Sequence, residues 1–435
     1  ITNNGTQTGF GRTGTVNWQT GSIKTSTFTA VNGQGFFVDT NGGAVTSNLP
    51  AGSAGAIVSF QDYRNTFDTH SLTITPNGSE KINGGAGSIV LNTEGEGATL
   101  VYIDGTVGWR SIQDNTFADV GSNFISASGG TETTSGDCKI HTFTGPGTFT
   151  VSSAAQCAAN NVVSYAVVAG GGAGGSGYQT GGGGAGGFRE YKSPVTPYTA
   201  SPLDGNPGGT SITVTATAFP ITVGAGGAVN PASPGCGQKG SNGANSIFST
   251  VTSTGGGGGA AYNQVCGPIQ NGNPGGSGGG GGRRNKNSPG GSGNTPPVSP
   301  AQGKDGGAAN QPYGHPYSGG GGGGATTGGT NSTGSTVGTA GNGATTSISG
   351  SPTAYAGGGG GGGYGSPAPS SDTGDSGNGG TGGGGKGGYG GPGQPTSTGV
   401  AGSVNTGGGG GGSSFESELG GAGGSGIVII RYKFQ

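Results

Sequence analysis

The sequence has no methionine, three histidines and little charge, with 16 lysines and arginines against 18 aspartates and glutamates in 435 residues. A formal net charge of −2 gives no broad positive field, so the composition argues against a nucleic-acid partner. Hydrophobic residues make up 28% of the chain, and no apolar run approaches the roughly 18 residues that would span a bilayer. We therefore expect a chain that binds no nucleic acid and does not span a membrane.

Signatures of catalysis and cofactor binding are also weak. The histidines are too far apart in sequence to predict a zinc site. A match to the phosphate-binding pattern ends at Lys386, but Gly387 follows where a serine or threonine would hold magnesium. We expect no enzymatic activity, no cofactor and no metal. Glycan cleavage stays open as an alternative because two pairs of carboxylates lie close in sequence: Glu94 with Glu96, and Glu416 with Glu418.

Four cysteines, Cys138, Cys157, Cys236 and Cys266, show none of the short spacings of zinc or redox sites. An even number in an extracellular chain favours two disulfides. The pairs Cys138–Cys157 and Cys236–Cys266 are compatible with the sequence, although four cysteines allow three pairings. The alternative is four buried free thiols.

Glycine accounts for 115 of the 435 residues, about 26%, whereas its average usage in proteins is roughly 7%. Residues 1–136 hold 23 glycines and the remaining 299 residues hold 92, so the composition changes near residue 130. We infer an N-terminal module at residues 1–130, a linker at 131–136 and a glycine-rich domain at 137–435.

The N-terminal module is predicted to be all-β. Short β-branched and aromatic runs alternate with Asn-Gly and Asp-Gly turns about every ten residues, and no window carries a helical apolar stripe. This spacing is typical of a small β module, which we interpret as a β-sandwich or a prism-like fold.

The glycine-rich domain is predicted to have a β frame at residues 137–169, 211–223 and 426–434. Because the last of these segments is strongly apolar, we expect it to pair with residues 139–169 and bring both ends of the domain together. The glycine runs between them break the Gly-X-Y repeat, which excludes collagen. A flexible linker and a bundle of packed polyglycine-II helices remain, and the repetition of similar run lengths favours the bundle.

Two parts of the chain resemble known families. Residues 14–112 resemble a β module of tailed-phage tail fibres and other virion proteins through Trp18-Gln-Thr-Gly-Ser-Ile-Lys24 and Leu100-Val-Tyr-Ile-Asp-Gly-Thr-Val-Gly-Trp109. Residues 137–435 resemble the glycine-rich domain of phage tail fibres and bacterial surface proteins. The motifs that carry this second resemblance are Val167-Val-Ala-Gly-Gly-Gly-Ala-Gly-Gly175 and Gly424-Ser-Gly-Ile-Val-Ile-Ile-Arg-Tyr432.

The resemblance implies a virion fibre or adhesin at the virion surface, outside the cell. Its implied partners are other virion fibre or baseplate proteins and a host surface glycan or outer-membrane receptor, and it implies a homotrimer. A purely structural appendage or capsid-surface fibre is the first alternative, and a glycan-cleaving tailspike is the second.

Segments between the glycine runs concentrate tyrosine, proline and basic residues. Loops on a rigid frame commonly bind ligands, and tyrosine and arginine suit sugar rings and acidic glycans. An equally open interpretation makes these residues bundle caps or contacts between subunits. The candidate receptor-binding residues are Tyr262, Arg283, Arg284, Tyr313, His315, Tyr317 and Tyr355.

Overall fold

A computed structural model describes residues 16–112, 124–155, 157–232, 236–262, 270–283, 288–309, 317–333, 336–365, 376–391 and 396–435. The chain divides into a first unit, residues 1–124 with 155–157, and a second unit, residues 125–154 with 158–435. The division therefore falls before the predicted linker. Residues 131–135 form a strand of the second unit, which pairs antiparallel with residues 138–142.

The described part of the first unit contains nine short strands. They are β1 (Asn17–Trp18), β2 (Phe28–Thr29), β3 (Gln34–Val38), β4 (Val45–Asn48), β5 (Ile57–Asp62), β6 (Leu72–Thr75), β7 (Ile89–Leu91), β8 (Gly97–Asp104) and β9 (Gly108–Ser111).

These strands wind as a β-solenoid. Strands β1, β3 and β5 pair in parallel in one sheet, and β2, β4 and β6 pair in parallel in another. Antiparallel strands follow at the end, with β7 on β6 and β8 and β9 beside β5. The predicted β-sandwich or prism-like fold is therefore wrong. The turns at Asn32-Gly33 and Asn41-Gly42 are corners that carry the chain from one sheet to the other, whereas Asp104-Gly105 joins β8 to β9 within one sheet.

The solenoid core follows the two-residue period of its strands. Val58 and Phe60 of β5 point inward and are almost fully buried, and Trp109 of β9 is completely buried. Trp109 also donates its indole N–H to Glu80, at 3.2 Å. This satisfied donor allows a large indole to fill the core at low cost.

In the second unit, the described residues form the remaining strands and one 3-10 helix, Ala158–Asn161. The strands are β10 (Ser126–Ser128), β11 (Thr131–Ser135), β12 (Cys138–Phe143), β13 (Gly147–Ser153), β14 (Val162–Val168), β15 (Phe188–Tyr191), β16 (Ile212–Thr213), β17 (Ala218–Thr222), β18 (Ser246–Phe248), β19 (Val251–Ser253), β20 (Tyr317–Ser318), β21 (Ala344–Thr346), β22 (Thr353–Tyr355), β23 (Gly363–Tyr364), β24 (Tyr389–Gly390) and β25 (Ile427–Lys433). The described residues contain no α-helix, so the chain is all-β.

The main sheet of the second unit has the order β11-β12-β25-β14-β15. β25 lies between β12 and β14 and is antiparallel to both, which is the pairing that its apolar sequence predicts. Val428, Ile430 and Tyr432 pack into a core on one face, while Ile427 and Ile429 pack on the other. A strand buried on both faces explains why its sequence is almost continuously apolar.

The glycine runs have no regular secondary structure, and polyglycine-II helices are not seen as such. They are nevertheless buried and joined sideways through the backbone. In run 181–187, successive N–H groups of residues 181–186 bond to Ala260, Gly320, Gly410, Gly257, Gly323 and Gly407, at 2.8–3.1 Å. The acceptors lie in three neighbouring runs, 254–262, 317–325 and 407–414. Along residues 181–186 the partner run changes in that order and the order then repeats.

The carbonyl groups of the same run accept hydrogen bonds from a second set of neighbours. The donors are the N–H groups of Gly175, Gly280, Gly359, Gly172 and Ser277. Run 181–187 is thus surrounded by six others, three that accept and three that donate: 169–175, 254–262, 276–283, 317–325, 356–365 and 407–414. Almost every peptide group in this centre has a partner, which offsets the entropy lost by ordering glycine.

Candidate functional site

One end of these runs is fixed by the sheet. Run 169–175 begins directly after β14, and run 181–187 ends directly before β15. Residues 176–180 connect the two runs and therefore lie at the end away from the sheet. The six runs around 181–187 reach the same end, and each carries an aromatic or basic residue there.

These six residues form a closed ring, which we call the aromatic crown: Tyr178, Tyr262, Arg283, Tyr317, Tyr364 and Phe415. Every member is partly exposed. Since each residue comes from a different run, the crown exists only when the six runs are packed around the central one.

Successive members of the crown are in contact. The Arg283 guanidinium carbon lies 3.4 Å from the Tyr317 ring centroid and 5.2 Å from that of Tyr262. The Tyr178 ring is 5.9 Å from Tyr262 and 5.0 Å from Phe415, both edge to face.

Two contacts complete the ring. Phe415 stacks on Tyr364 with centroids 5.4 Å apart. Tyr364 is the direct cross-strand partner of Tyr317 in the antiparallel pair of β20 and β23.

A layer of fully buried polar side chains lies directly beneath the crown. The Gln179 amide donates to the carbonyl of Ser414 at 2.8 Å, and its oxygen accepts from Nη1 of Arg283 at 2.8 Å. The Thr180 hydroxyl donates to Gly175 O, and the Ser413 hydroxyl donates to Gly177 O. These bonds fix the turn at residues 176–180, so the crown stands on a satisfied polar floor.

The electrostatics of the crown differ between its two sides. Burial lowers the pKa of Arg283, and the neighbouring tyrosines partly oppose this effect. On the other side, the Tyr178 hydroxyl donates to the Glu416 carboxylate at 2.7 Å, and this bond raises the pKa of Tyr178 to about 12. The crown therefore presents a cation on one side and a carboxylate held by a tyrosine on the other.

The structure brings together three of the predicted receptor-binding residues, Tyr262, Arg283 and Tyr317. Arg284, Tyr313 and His315 lie outside the described residues. Tyr355 is on β22, at the opposite end of the runs, and only 4% of it is exposed. The prediction for Tyr355 is therefore wrong, because this side chain belongs to the core beneath the main sheet.

Sequence reasoning missed the other half of the crown: Tyr178, Tyr364 and Phe415. Each is a single aromatic residue at the end of a glycine run, next to serine, glycine or glutamine. That position was the available signal. The prediction does not include these three residues because their segments lack the proline and basic residues of the predicted loops.

The cysteines differ from the predicted pairing in one respect. Cys138 is a buried free thiol and Cys157 an exposed one, so the disulfide Cys138–Cys157 is not formed. Cys138 lies in β12, where its side chain fills a core position. Cys236 is disulfide-bonded. Cys266 lies outside the described residues.

Within the described ranges, no group of three histidine, cysteine, aspartate or glutamate side chains could hold a metal ion. The same ranges contain no helix that is long and apolar enough to cross a membrane.

Together, the sheet, the buried runs and the crown define a β-framed glycine-rich protein. The family model described as "Glycine-rich domain" matches residues 141–433, and the chain belongs to that family. No curated protein matches the chain.

Proposed function

We propose that the chain is a non-enzymatic fibre or adhesin protein of a virion surface, outside the cell, that attaches to a host receptor or glycan through the aromatic crown. One observation carries the proposal: six runs of one chain converge to present five aromatic rings and an arginine, partly exposed, at the end opposite the sheet. Rings and arginines on a rigid support are the residues that dominate binding surfaces.

We also propose that the runs are packed polyglycine-II-type helices. Such helices have three residues per turn and no internal hydrogen bonds, so each should bond to neighbours in threefold rotation. The alternation of partners along residues 181–186 supports this proposal, as does the enclosure of that run by six others.

The resemblance of residues 14–112 to a virion β module supports a place for the first unit in attachment to other fibre or baseplate proteins. The same resemblance supports a homotrimer. Sedimentation of the purified full chain tests this part: a trimeric mass is expected, and a monomer at all concentrations would contradict it.

Adsorption to cells tests the adhesin proposal. Labelled full-length protein is mixed with candidate host bacteria, and the bound fraction is compared for wild type and the double variant Y364A/F415A. We expect the double variant to lose most binding, because it removes two adjacent rings of the crown. Tyr63→Ala is the matched control, since Tyr63 is a 48% exposed tyrosine outside the crown.

Equal adsorption of wild type and Y364A/F415A, with both proteins folded, would contradict attachment through the crown. A wild type that binds no host would favour a purely structural appendage. Release of reducing ends from host polysaccharide would instead support a tailspike, and we expect none.

A further inference from the structure

Arg283 differs from the other crown members because it is the only charged residue in the ring. Its guanidinium group lies against Tyr317 and beside Tyr262, and its backbone N–H donates to Gln179 O at 3.2 Å. The side chain is therefore held in position from two directions, and its planar group is stacked on an aromatic face.

The donors of Arg283 are only partly used. Nη1 donates to Gln179 Oε1 at 2.8 Å. Nε and Nη2 have no hydrogen-bond partner among the described residues, and neither is one of the fully enclosed unpaired polar atoms of the described chain. An arginine fork with free donors at an accessible position can receive an anion in bidentate geometry.

No carboxylate within the described ranges pairs with Arg283; the side-chain ion pairs there involve Arg64 with Asp39, and Glu132 with Lys139 and His141. The contrast with Arg431 is informative. That arginine is almost fully buried, but its guanidinium donates to the carbonyl oxygens of Pro197, at 2.9 Å, and of Ile348 and Ser135, both at 3.4 Å. Both terminal nitrogens of Arg431 therefore have partners within the fold and its unpaired Nε is enclosed, whereas Arg283 keeps unused donors at the crown.

A partly desolvated cation without a counter-ion costs free energy that a bound anion would offset. Glu416 does not fill this role, because its described hydrogen bond comes from the hydroxyl of Tyr178 on the other side of Tyr262. The neighbouring tyrosine rings add apolar faces and hydroxyl groups, a combination that suits a sugar ring.

We propose that the crown binds an anionic sugar unit of a polysaccharide, with the acidic group on Nε and Nη2 of Arg283 and the sugar ring against the neighbouring tyrosines. This inference rests on the proposed function and names its ligand class. The acidic group is a carboxylate or a sulfate, since both match the arginine fork.

Binding of the purified full chain to immobilised polysaccharides tests the inference. Alginate supplies carboxylates, dextran sulfate supplies sulfates, and unmodified dextran is neutral. We expect binding to at least one anionic polymer, none to dextran, and affinity that falls as salt rises. Binding to alginate alone or dextran sulfate alone would identify the acidic group.

Variants then assign the interaction to Arg283. Arg283→Gln should weaken anionic binding at least about tenfold, which corresponds to about 1.4 kcal/mol. Arg283→Lys should recover part of it, because the charge returns without the planar fork. Arg110→Gln is the matched control, since Arg110 is an exposed arginine of the first unit. Binding of Arg283→Gln equal to wild type, or equal binding to dextran, would overturn the inference.

The same variants on host cells separate this inference from the proposed function. If wild type and Arg283→Gln adsorb equally to host cells, the acidic-sugar inference fails while attachment stands. If wild type adsorbs to no host cell and to no polysaccharide, both fail. Thermal unfolding of each variant checks that it is folded.

Discussion

The Cα of Gly183 faces the carbonyl oxygen of Gly172 so closely that a Cβ at position 183 would lie 2.1 Å from that oxygen. The obstacle is backbone held by hydrogen bonds on both sides, so no side chain can rotate away to make room. The contact is typical of the runs, and it explains why they are made of glycine: their spacing is set by peptide groups that bond directly across the gap.

The first prediction follows from this contact. Gly183→Ala should lower the free energy of unfolding by about 3 kcal/mol or more, because overpacking of this kind typically costs 1–3 kcal/mol and here the neighbour cannot yield. Urea denaturation measures the effect. Gly145→Ala is the control, because nothing lies within 4 Å of a Cβ at that position. Equal stability of the two variants would show that the runs are loosely packed.

The second prediction concerns the thiols. In native, unreduced protein a thiol reagent should modify Cys157 alone, because Cys138 is buried. Denaturation without reductant should expose two thiols, and reduction should then expose all four. Cys157→Ser should abolish the native reaction, and Cys138→Ser should leave it intact. Rapid native labelling of Cys138 would contradict the burial of β12.

The third prediction concerns the acidic side of the crown. The pKa of Tyr178 is raised to about 12 mainly by the hydrogen bond to the Glu416 carboxylate. Glu416→Gln removes the negative charge, so the pKa of Tyr178 should fall. Titration of ring-labelled tyrosine by NMR measures this change, with Tyr178→Phe identifying the signal. A pKa that stays unchanged in Glu416→Gln would mean that the two groups are not bonded in solution.

The fourth prediction concerns His141 in β12. Its Nδ1 lies 2.7 Å from Gly129 O, which can only accept, so Nδ1 carries the proton and Nε2 accepts from the Tyr432 hydroxyl at 3.1 Å. Burial lowers the pKa of His141. The folded state therefore favours the neutral ring, while the unfolded chain takes up a proton near pH 6.5. Stability should be complete above that pH and should decrease as the pH falls below it.

Melting temperatures between pH 7.5 and pH 5 check this sign. His141→Asn should show a smaller loss than wild type over that interval. His70→Gln should behave like wild type, because His70 is exposed. An equal loss in wild type and His141→Asn would assign the pH dependence to other groups.

The sequence predicts the frame of the second unit well, and the physical reason is clear. Residues 427–430 are apolar without interruption, and a strand with such a sequence is expected to be buried on both faces. For the first unit, the sequence predicts the strands but does not predict that they wind as a β-solenoid. A turn at Asn41-Gly42 looks the same in sequence whether it reverses the chain or turns a corner between two sheets.

The crown could be predicted only in part. Runs alternate in direction, so an aromatic residue after a run lies at the crown or at the sheet depending on how many runs precede it. Tyr355 and Tyr364 lie at the two ends of one run, 356–365, so that Tyr355 is in the core and Tyr364 is in the crown, although only nine positions divide them in sequence. Which runs become neighbours of 181–187 is decided by backbone hydrogen bonds that no side chain encodes.

The place of β25 has a consequence for biosynthesis. Every glycine run lies between β14 and β25 in the chain, so a ribosome completes all of them before it makes the strand that joins β12 to β14. Until then the nascent domain has two open strand edges, which are sites for aggregation and proteolysis. A prematurely terminated product would keep those edges exposed, and the cell could remove it before it entered an assembly.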